Sequence, residues 1–543
     1  MTVGSIGGTY GLSGSGMDID SIVKKLMAGQ QAKDDALVQK KTVLQWQKAA
    51  YNTLSDDISN FRTTVFNYKL QATLSPNKVS SSNTSVATVS ANAEAADVNH
   101  SLVVAQLAGG VNLTSAAVIS ATSPPALGTL AAQIYNNIGV PAAPFQITIT
   151  NGTAVSQPIT IDPANNTIND VVSAINKAGV NVKASYDSTL DRFFLSTTNT
   201  GAASGISFAG SDPAGLSFIG KHLKLPAVTT ADGGVTYSNN PVNGQDAIIQ
   251  LDGVGLTEAS NSFSITGVTY NLAGISAGTQ PGDGVGAQGF SGQATTVSVT
   301  NDLDTAVSSI KSLVDSYNKI LAEINGKVNE TRYTDYPPLT DAQKAAMKDS
   351  DITLWNTKAQ SGMLHNDSTL TSLVNTMRNA LSNPVTGIIG TYNSAASIGI
   401  TTGDYTEGGK LYLNMDKLRT ALQTNPNVLN QLFGASGTTT TNGITTTDIK
   451  SQGIAGRLYD GIKTTMDKLT QIAGATMNAQ FDTKSNFAKK IIVYNKQIHD
   501  AADKFNTIQS AYYKQFNAME LALQKLSAQS SWLSAQLGSN NGG

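Results

Sequence analysis

The sequence predicts an α+β multidomain protein in which N- and C-terminal coiled-coil helices form an axial rod, with β-rich outer domains inserted between them. Three observations lead to this fold class. Apolar residues recur every seven positions near both ends, as in a coiled-coil seam. Short segments of alternating polar and apolar residues fill residues 78–300, which is typical of strands. The length of 543 residues is enough for about three or four domains.

The N-terminal helix is expected to begin near Asp18 and Asp20, because carboxylates cap helix N-termini and favour the helix dipole. One heptad row comprises Leu37, Leu44, Tyr51, Ile58 and Val65. A companion row comprises the polar Lys40 and Gln47 and then the apolar Leu54, Phe61 and Tyr68. The seam is therefore strongest in its second half, and the helix must end before Pro76.

The C-terminal helix carries a stricter heptad row. Its members are Ile491, Ile498, Phe505, Tyr512, Met519, Leu526 and Leu533. Neither Gly nor Pro interrupts residues 478–537, so we expect one long helix there. Such a stripe can serve as ordinary intramolecular core. Because it outlasts any single small domain, we favour a mixture in which part of it contacts other molecules.

Between the two ends, the pattern changes from strands back to helices. Strand-like segments lie at 85–90, 146–150, 159–161 and 262–265, with one clear helix at 168–178. Helical spacing returns at 302–321 and continues at 341–359 and 370–381. The Gly-rich segment 276–292 and the Thr-rich tract 438–447 are predicted to be loops.

These patterns predict four domains, three of which are discontinuous. They are a terminal helical leg domain (1–40 and 480–543), a helical domain (41–77 and 300–479), a β-rich domain (78–115 and 240–299) and an inserted β-rich domain (116–239).

Composition argues against several classes of function. A net charge of -2 does not suit a nucleic-acid binder, which needs concentrated basic charge. We expect no membrane insertion, because no stretch approaches the length of an apolar span. There is no cysteine, and the first residues do not form a secretory signal, so export would use a route without a cleavable signal.

The sequence indicates no catalytic, cofactor-binding or metal-binding residue. The four histidines lack partners at metal-ligand spacing. Residues 284–289 match G-x-G-x-x-G, but a β-like segment follows where a dinucleotide site needs a helix. We therefore expect a protein that is not an enzyme and carries no cofactor.

Several segments resemble one family. Residues 14–26, GSGMDIDSIVKKL, closely resemble the opening of the bacterial flagellar filament cap family, also called hook-associated protein two. Residues 145–208 are similar to the hook IN motif, and 245–272, 314–367 and 512–533 resemble later family segments in the same order. Met17, Met363 and Trp532 depart from the expected residues only conservatively.

The resemblance implies a homo-oligomeric ring at the distal tip of the flagellum, outside the cell. The ring would promote insertion and folding of exported flagellin. The implied partners are the chain itself, flagellin, the hook–filament junction protein and an export chaperone on the C-terminal region, after type III export.

Two alternatives stay open. One is another flagellar axial protein, such as a hook–filament junction protein, and the other is a tip adhesin that binds host surface glycans through the β-rich insertion. Whether the chain is a cap protein or another flagellar axial protein, we expect apolar helical faces to bind its partners. The candidate assembly residues on these faces are Ile19, Ile22, Leu26, Tyr512, Phe516, Met519, Leu523, Leu526 and Leu533.

Overall fold

The computed structural model describes residues 18–123, 125, 128–231, 236–286, 288–441, 444–475 and 481–538. The chain divides into two compact units, and each is described by itself. The helical unit consists of two segments, one that ends at Leu74 and one that begins at Leu303. A β-rich unit comprises Ser75–Asp302.

Helices predominate toward both ends of the chain and strands in its middle, so the predicted α+β class is confirmed. In chain order the helices are α1 (Ile19–Asn67), α2 (Gln71–Leu74), α3 (Leu130–Gln133), α4 (Ile168–Lys177), α5 (Pro213–Ser217), α6 (Leu303–Asn329), α7 (Asp341–Ala345), α8 (Asp349–Gln360), α9 (Ser368–Ser382), α10 (Met415–Thr424), α11 (Val428–Phe433), α12 (Ile454–Ala473) and α13 (Asn486–Gly538).

The strands are short and pair in antiparallel sheets. In chain order they are β1 (Asn77–Ser81), β2 (Ala87–Ala91), β3 (Asn99–Gln106), β4 (Asn112–Thr114), β5 (Phe145–Ile147), β6 (Thr150–Asn151), β7 (Ala154–Val155), β8 (Ile159–Ile161), β9 (Val182–Asp187), β10 (Arg192–Thr197), β11 (Gly205–Ile206), β12 (Val228–Ala231), β13 (Thr236–Asn239), β14 (Val242–Asn243), β15 (Ala247–Leu251), β16 (Val254–Glu258), β17 (Ser262–Ile265), β18 (Val268–Leu272), β19 (Thr295–Asn301), β20 (Ile400–Thr402), β21 (Leu411–Leu413), β22 (Ser436–Thr441) and β23 (Ile444–Gln452).

Helix α1 follows the heptad pattern closely. Asp18 caps it, since the Asp18 carboxylate accepts a hydrogen bond from the Ser21 amide at 3.0 Å. Leu37 and Leu44 in the first half of the seam are only half-buried. The buried positions of the second half are Tyr51, Leu54, Ile58, Phe61 and Val65. The sequence-based expectation of a stronger second half is therefore confirmed, and α1 ends at Asn67, before Pro76.

The core of the helical unit is one hydrophobic cluster. The buried half of α1 contributes to it together with α6, α9 and α12. Tyr317 and Phe433 are among its fully buried large side chains. At its edge the Tyr51 hydroxyl donates to the Asp367 carboxylate, which also accepts from the Leu370 amide at 2.9 Å and so caps α9. One carboxylate thus joins two helices.

Helix α13 runs antiparallel to α1 and packs along it. It begins at Asn486, whereas the sequence predicted a start at residue 478. Residues 478–480 lie outside the described residues. The later start has a local cause: the Asp482 carboxylate accepts from the Lys484 and Ser485 amides at 3.0 Å, and the Ser485 hydroxyl accepts from the Ala488 amide at 3.1 Å. These bonds hold the entry turn.

Two expectations about the helical unit were wrong. The predicted helix 341–359 is divided into α7 and α8, with the Thr340 hydroxyl capping α7. The Thr-rich tract 438–447 is not a loop: within its described residues, strands β22 and β23 pair as a hairpin. Thr is β-branched and favours strands, and here this preference outweighs the low complexity of the tract.

In the β-rich unit, a five-stranded sheet has the order β1-β19-β3-β15-β16 and a three-stranded sheet the order β17-β18-β2. Both contribute to one hydrophobic cluster that contains Leu102, Ile249 and Tyr270. In the predicted Gly-rich loop 276–292, the Asp283 carboxylate accepts from the Gln280 and Ser291 amides at 3.0 Å. Apart from residue 287, the G-x-G-x-x-G segment lies in this loop, and strand β19 follows it.

A separate hydrophobic cluster of the β-rich unit surrounds helix α4. A capping box fixes the helix start, because Thr167 and Asp170 each accept a hydrogen bond from the other's amide, at 3.2 and 2.8 Å. The buried face of α4 joins the same cluster as Phe193 and Leu195 of β10, which pairs with β4 and β9. The finer division of the chain into four domains stays a prediction.

Candidate assembly surface on the terminal helices

The start of α1 packs against the middle of α13. We call this contact the terminal-helix cluster. Its members are Ile19, Val23 and Met27, which are buried, and Phe505, Ile508, Tyr512, Tyr513 and Phe516, which are partly buried. The Tyr513 hydroxyl also donates to the Asp20 carboxylate at 3.0 Å. The side chains repeat at intervals of three and four residues, so each helix presents one continuous face.

The geometry at the start of α1 stabilises that face. The Asp18 side chain accepts from both the hydroxyl and the amide of Ser21, and these bonds lower the pKa of Asp18. The carboxylate therefore stays charged at the helix N-terminus, where the dipole favours negative charge. The Asp20 carboxylate lies in the same first turn.

The structure separates the candidate assembly residues into two groups. Ile19, Tyr512 and Phe516 lie in the terminal-helix cluster. Ile22 is half-buried, whereas Leu26 is 49 % exposed, and neither belongs to the cluster. The remaining candidates lie on the last part of α13 and are exposed: Met519, Leu523, Leu526 and Leu533.

The last part of α13 is unusual because it is exposed and almost uncharged. Every residue from 521 to 537 is exposed, and Lys525 is the one charged side chain in that stretch. One apolar row, which we call the distal ridge, comprises Met519, Leu523, Leu526, Leu533 and Leu537. At 3.6 residues per turn these positions lie within roughly 40° of one direction.

Two further apolar side chains lie on the opposite side of the same helix. Leu521 and Trp532 are 59 % and 64 % exposed and lie roughly 200–220° around the helix axis from Met519. We call this pair the opposite face. The end of α13 is therefore apolar on both sides, which is typical of a helix between two neighbours and unlike a helix that covers a single core.

The sequence analysis missed some members of these surfaces. Met27 and Tyr513 complete the terminal-helix cluster, and Leu521 and Trp532 form the opposite face. Met27 could have been found, because it continues the spacing of Ile19 and Val23 by one more turn. Leu521 and Trp532 fall outside the heptad rows, so no periodic signal marks them.

Neither a metal site nor a membrane-spanning helix is found among the described residues. Among the described residues, no group of three or more His, Asp or Glu side chains could hold a metal ion. None of the helices in the described part of the chain is both long and apolar enough to cross a bilayer.

Two family models match this chain. Residues 15–110 match the family model for the N-terminus of flagellar hook-associated protein 2, and residues 244–528 match the model for its C-terminus. Flagellar hook-associated protein 2 of Halalkalibacterium halodurans is 29 % identical over 543 residues, covering 95 % of this chain and 97 % of the relative. The Escherichia coli K12 protein of the same name is 25 % identical, with 97 % of each chain covered.

A solved structure shares the fold. The crystal structure of the D1-D2-D3 domains of the flagellar cap protein from Escherichia coli superimposes with a TM-score of 0.52. It is 22 % identical, and the match covers 82 % of this chain and 99 % of that one.

The two family-model matches define a structural protein of the flagellar filament cap class, and the shared fold agrees with them. The protein is flagellar, and its class associates with the filament as an oligomeric cap. The chain belongs to the flagellar hook-associated protein 2 family. Neither the junction-protein nor the adhesin alternative draws support from these matches.

Proposed function

We propose that this chain is a non-enzymatic assembly protein that caps the distal, extracellular end of the filament and promotes insertion and folding of exported flagellin. The observation that carries this proposal is the end of α13, where the distal ridge and the opposite face leave large apolar side chains in water on two sides of one helix. Monomeric proteins rarely leave such surfaces uncovered.

Burial of this surface would supply a substantial driving force for assembly. A fully buried Leu, Phe or Met side chain is stabilised by roughly 1.5–3 kcal/mol relative to an exposed one. Leu526, Trp532 and Leu533 are each more than half exposed, so most of that free energy is unused within one chain. Neighbours on both sides of the helix are needed to gain it.

We propose that different partners cover this helix before and after export. Before export, a chaperone would cover the C-terminal region and keep the apolar end of α13 from aggregating. After export, further copies of this chain would cover one side of the helix in a homo-oligomeric ring, and flagellin or the hook–filament junction protein would cover the other. The low charge of residues 521–537 suits all of these apolar contacts.

The test is the double substitution Leu523→Asp with Leu526→Asp in a strain whose own copy of the gene is deleted. Because two carboxylates on the distal ridge would prevent its burial, we expect short or missing filaments and unpolymerised flagellin in the medium. Electron microscopy of the cells and immunoblotting of the medium give the two readouts.

A matched control is Gln524→Asp with Ser531→Asp, which adds the same two charges between the distal ridge and the opposite face. We expect this variant to assemble filaments normally. Both purified variants should keep the main thermal transition of the wild-type protein, because residues 523, 524, 526 and 531 are all exposed. Normal filaments with the ridge variant would contradict the proposal.

A further inference from the structure

A second surface of the helical unit lies away from the distal ridge. It is a groove of about 790 Å³ between α1 and α13, closed at one side by the segment 332–338 that links α6 to α7. We call it the basic groove. The Gln39 side-chain amide donates to the Pro338 carbonyl at 2.7 Å and fixes that segment against α1. The groove is therefore preformed in a single chain.

The charges of the basic groove all have one sign. Its lining includes Lys40 on α1, Lys489 and Lys490 on α13, and Arg332 on the linking segment, and no Asp or Glu lines it. The three lysines are exposed and form no ion pair with another described residue. Arg332 is partly buried and donates to the Ala359 and Ser361 carbonyls at 2.7 and 3.0 Å. Four cations thus surround one groove without an anion.

The shape of the groove fits a helix. On α1 the lining runs from Ala36 to Leu44, and on α13 from Lys489 to Gln497, so each wall is about 12 Å long. Apolar side chains also line the groove, among them Val43 and Val493, the latter 54 % exposed, and we call this apolar part of the lining the floor. A furrow between two antiparallel helices accepts a third helix of about two to three turns, which inserts anchors spaced by three or four residues.

We propose that the basic groove binds an acidic amphipathic helix of a partner protein, with apolar anchors on the floor and carboxylates facing the four cations. This inference rests on the proposed function only in assuming that the chain works by contact with other proteins. The partner's chemistry follows from the lining: an apolar ridge satisfies the floor, and unpaired carboxylates satisfy cations that have no counter-charge here.

Several acidic side chains on the described helices of this chain are already paired within it. On α6, α12 and α13, three exposed carboxylates pair with a lysine one turn away, in Asp315–Lys311, Asp467–Lys463 and Asp500–Lys496. Helix α8 has Asp349 and Asp351 in its first turn, but Leu354 is its one large apolar side chain that is strongly exposed. A single anchor would leave most of the floor uncovered. We therefore assign the groove to a different protein.

The experiment uses the full chain and two designed helical peptides of about 14 residues, roughly four turns. Both peptides carry the same Leu face; one has Glu and the other Lys on the polar face. Fluorescence anisotropy should detect saturable binding of the Glu peptide, weakened by added salt, and no saturable binding of the Lys peptide. Equal binding of the two peptides, or none of the Glu peptide, would overturn the proposal.

Variants locate the site. Lys489→Glu with Lys490→Glu should weaken binding of the Glu peptide at least about tenfold, since it reverses two of the four charges. Lys40→Glu tests the opposite wall and should weaken binding as well. The control Lys514→Glu with Lys525→Glu changes two exposed lysines of α13 outside the groove and should leave binding unchanged. Unchanged binding by the groove variants would refute the site.

Sedimentation velocity tests the competing occupant. If the Lys489→Glu and Lys490→Glu variant loses self-association that the wild-type chain shows, the groove is filled by a second copy and the assignment to a partner protein is wrong. Unchanged self-association supports the assignment. Peptide binding is independent of filament capping, so a failure here is distinguishable from a failure of the distal-ridge test.

Discussion

Replacement of Met27 by Ala tests whether the terminal-helix cluster stabilises the paired ends of α1 and α13 within one chain. Met27 is 3 % exposed and packs in a cluster that includes Phe505 and Tyr512. Core substitutions of Met by Ala cost about 2–5 kcal/mol. Because the partners on α13 are only partly buried, we expect the lower half of that range, about 2–3 kcal/mol. The free energy of opening this helix pair should fall by that amount.

Native-state hydrogen exchange measures this opening directly. A loss of 2–3 kcal/mol corresponds to about a 30- to 150-fold drop in protection, since about 1.4 kcal/mol is tenfold. We expect the drop in peptides covering residues 19–27 and 505–516. Peptides from α6, in the core of the helical unit, should keep wild-type protection because they belong to a different hydrophobic cluster.

The matched control is Leu526→Ala. Leu526 is 61 % exposed, so its truncation should cost less than about 1 kcal/mol and leave exchange in residues 19–27 nearly unchanged. Equal effects of the two substitutions would show that the distal ridge is packed in the isolated chain. An unchanged exchange pattern in the Met27 variant would show that the cluster does not hold the two helices together. Either result would refute the reasoning.

Three further predictions concern a buried ion pair, a buried histidine and the Thr-rich hairpin. The Lys48–Asp482 ion pair is 2.8 Å long and largely buried, so Asp482→Ala should destabilise the helical unit by about 3–5 kcal/mol, as measured by urea unfolding. The control Asp500→Ala in the exposed Lys496–Asp500 pair should leave the unfolding midpoint nearly unchanged. Burial raises the pKa of Asp482, but hydrogen bonds from Lys48 and Ser485 outweigh that effect, so the net result is a lowered pKa. The stability that the Asp482 carboxylate contributes is therefore present above the unfolded pKa of about 3.9 and is lost as the pH falls toward the folded value. Burial beside Tyr135, with Lys221 and Lys224 nearby, lowers the pKa of His222 to about 4. The β-rich unit should therefore lose stability as the pH falls from about 6.5 to 4, because His222 is then protonated first in the unfolded chain. Thermal scans at several pH values should show that His222→Phe removes this loss. Replacing residues 438–447 by a short Gly/Ser linker should leave the melting temperature nearly unchanged, because among the described strands β22 and β23 form a separate two-stranded sheet. A drop of many degrees would show that the hairpin supports the core.

The paired terminal helices could be predicted because their information is local and periodic. Seven-residue spacing identifies a helical face without reference to any other part of the chain. The polar Lys40 and Gln47 even indicated which half of α1 would pack less tightly, and the burial of Tyr51, Ile58 and Val65 agrees. Short alternating strands such as 159–161 and 262–265 were recognised at their observed bounds for the same reason.

Pairing between distant segments could not be predicted. The five-stranded sheet places β19 between β1 and β3, and nothing in residues 295–301 specifies those neighbours. The split between α7 and α8 and the late start of α13 depend on capping bonds of single side chains, which weigh little in a periodic pattern. The Thr-rich hairpin was missed because composition was given more weight than β propensity.

The sequence by itself determined the class of the molecule: heptad ends, a β-rich middle and an almost uncharged apolar end on the last helix, all of which follow from the order of apolar and polar residues. The tertiary structure decided which part of that apolar pattern is used within the chain. Phe516 packs against the start of α1 while Leu526 remains in water, although both lie on one predicted face. The physical reason is that periodicity specifies a direction around a helix, whereas burial depends on where the neighbouring helix lies.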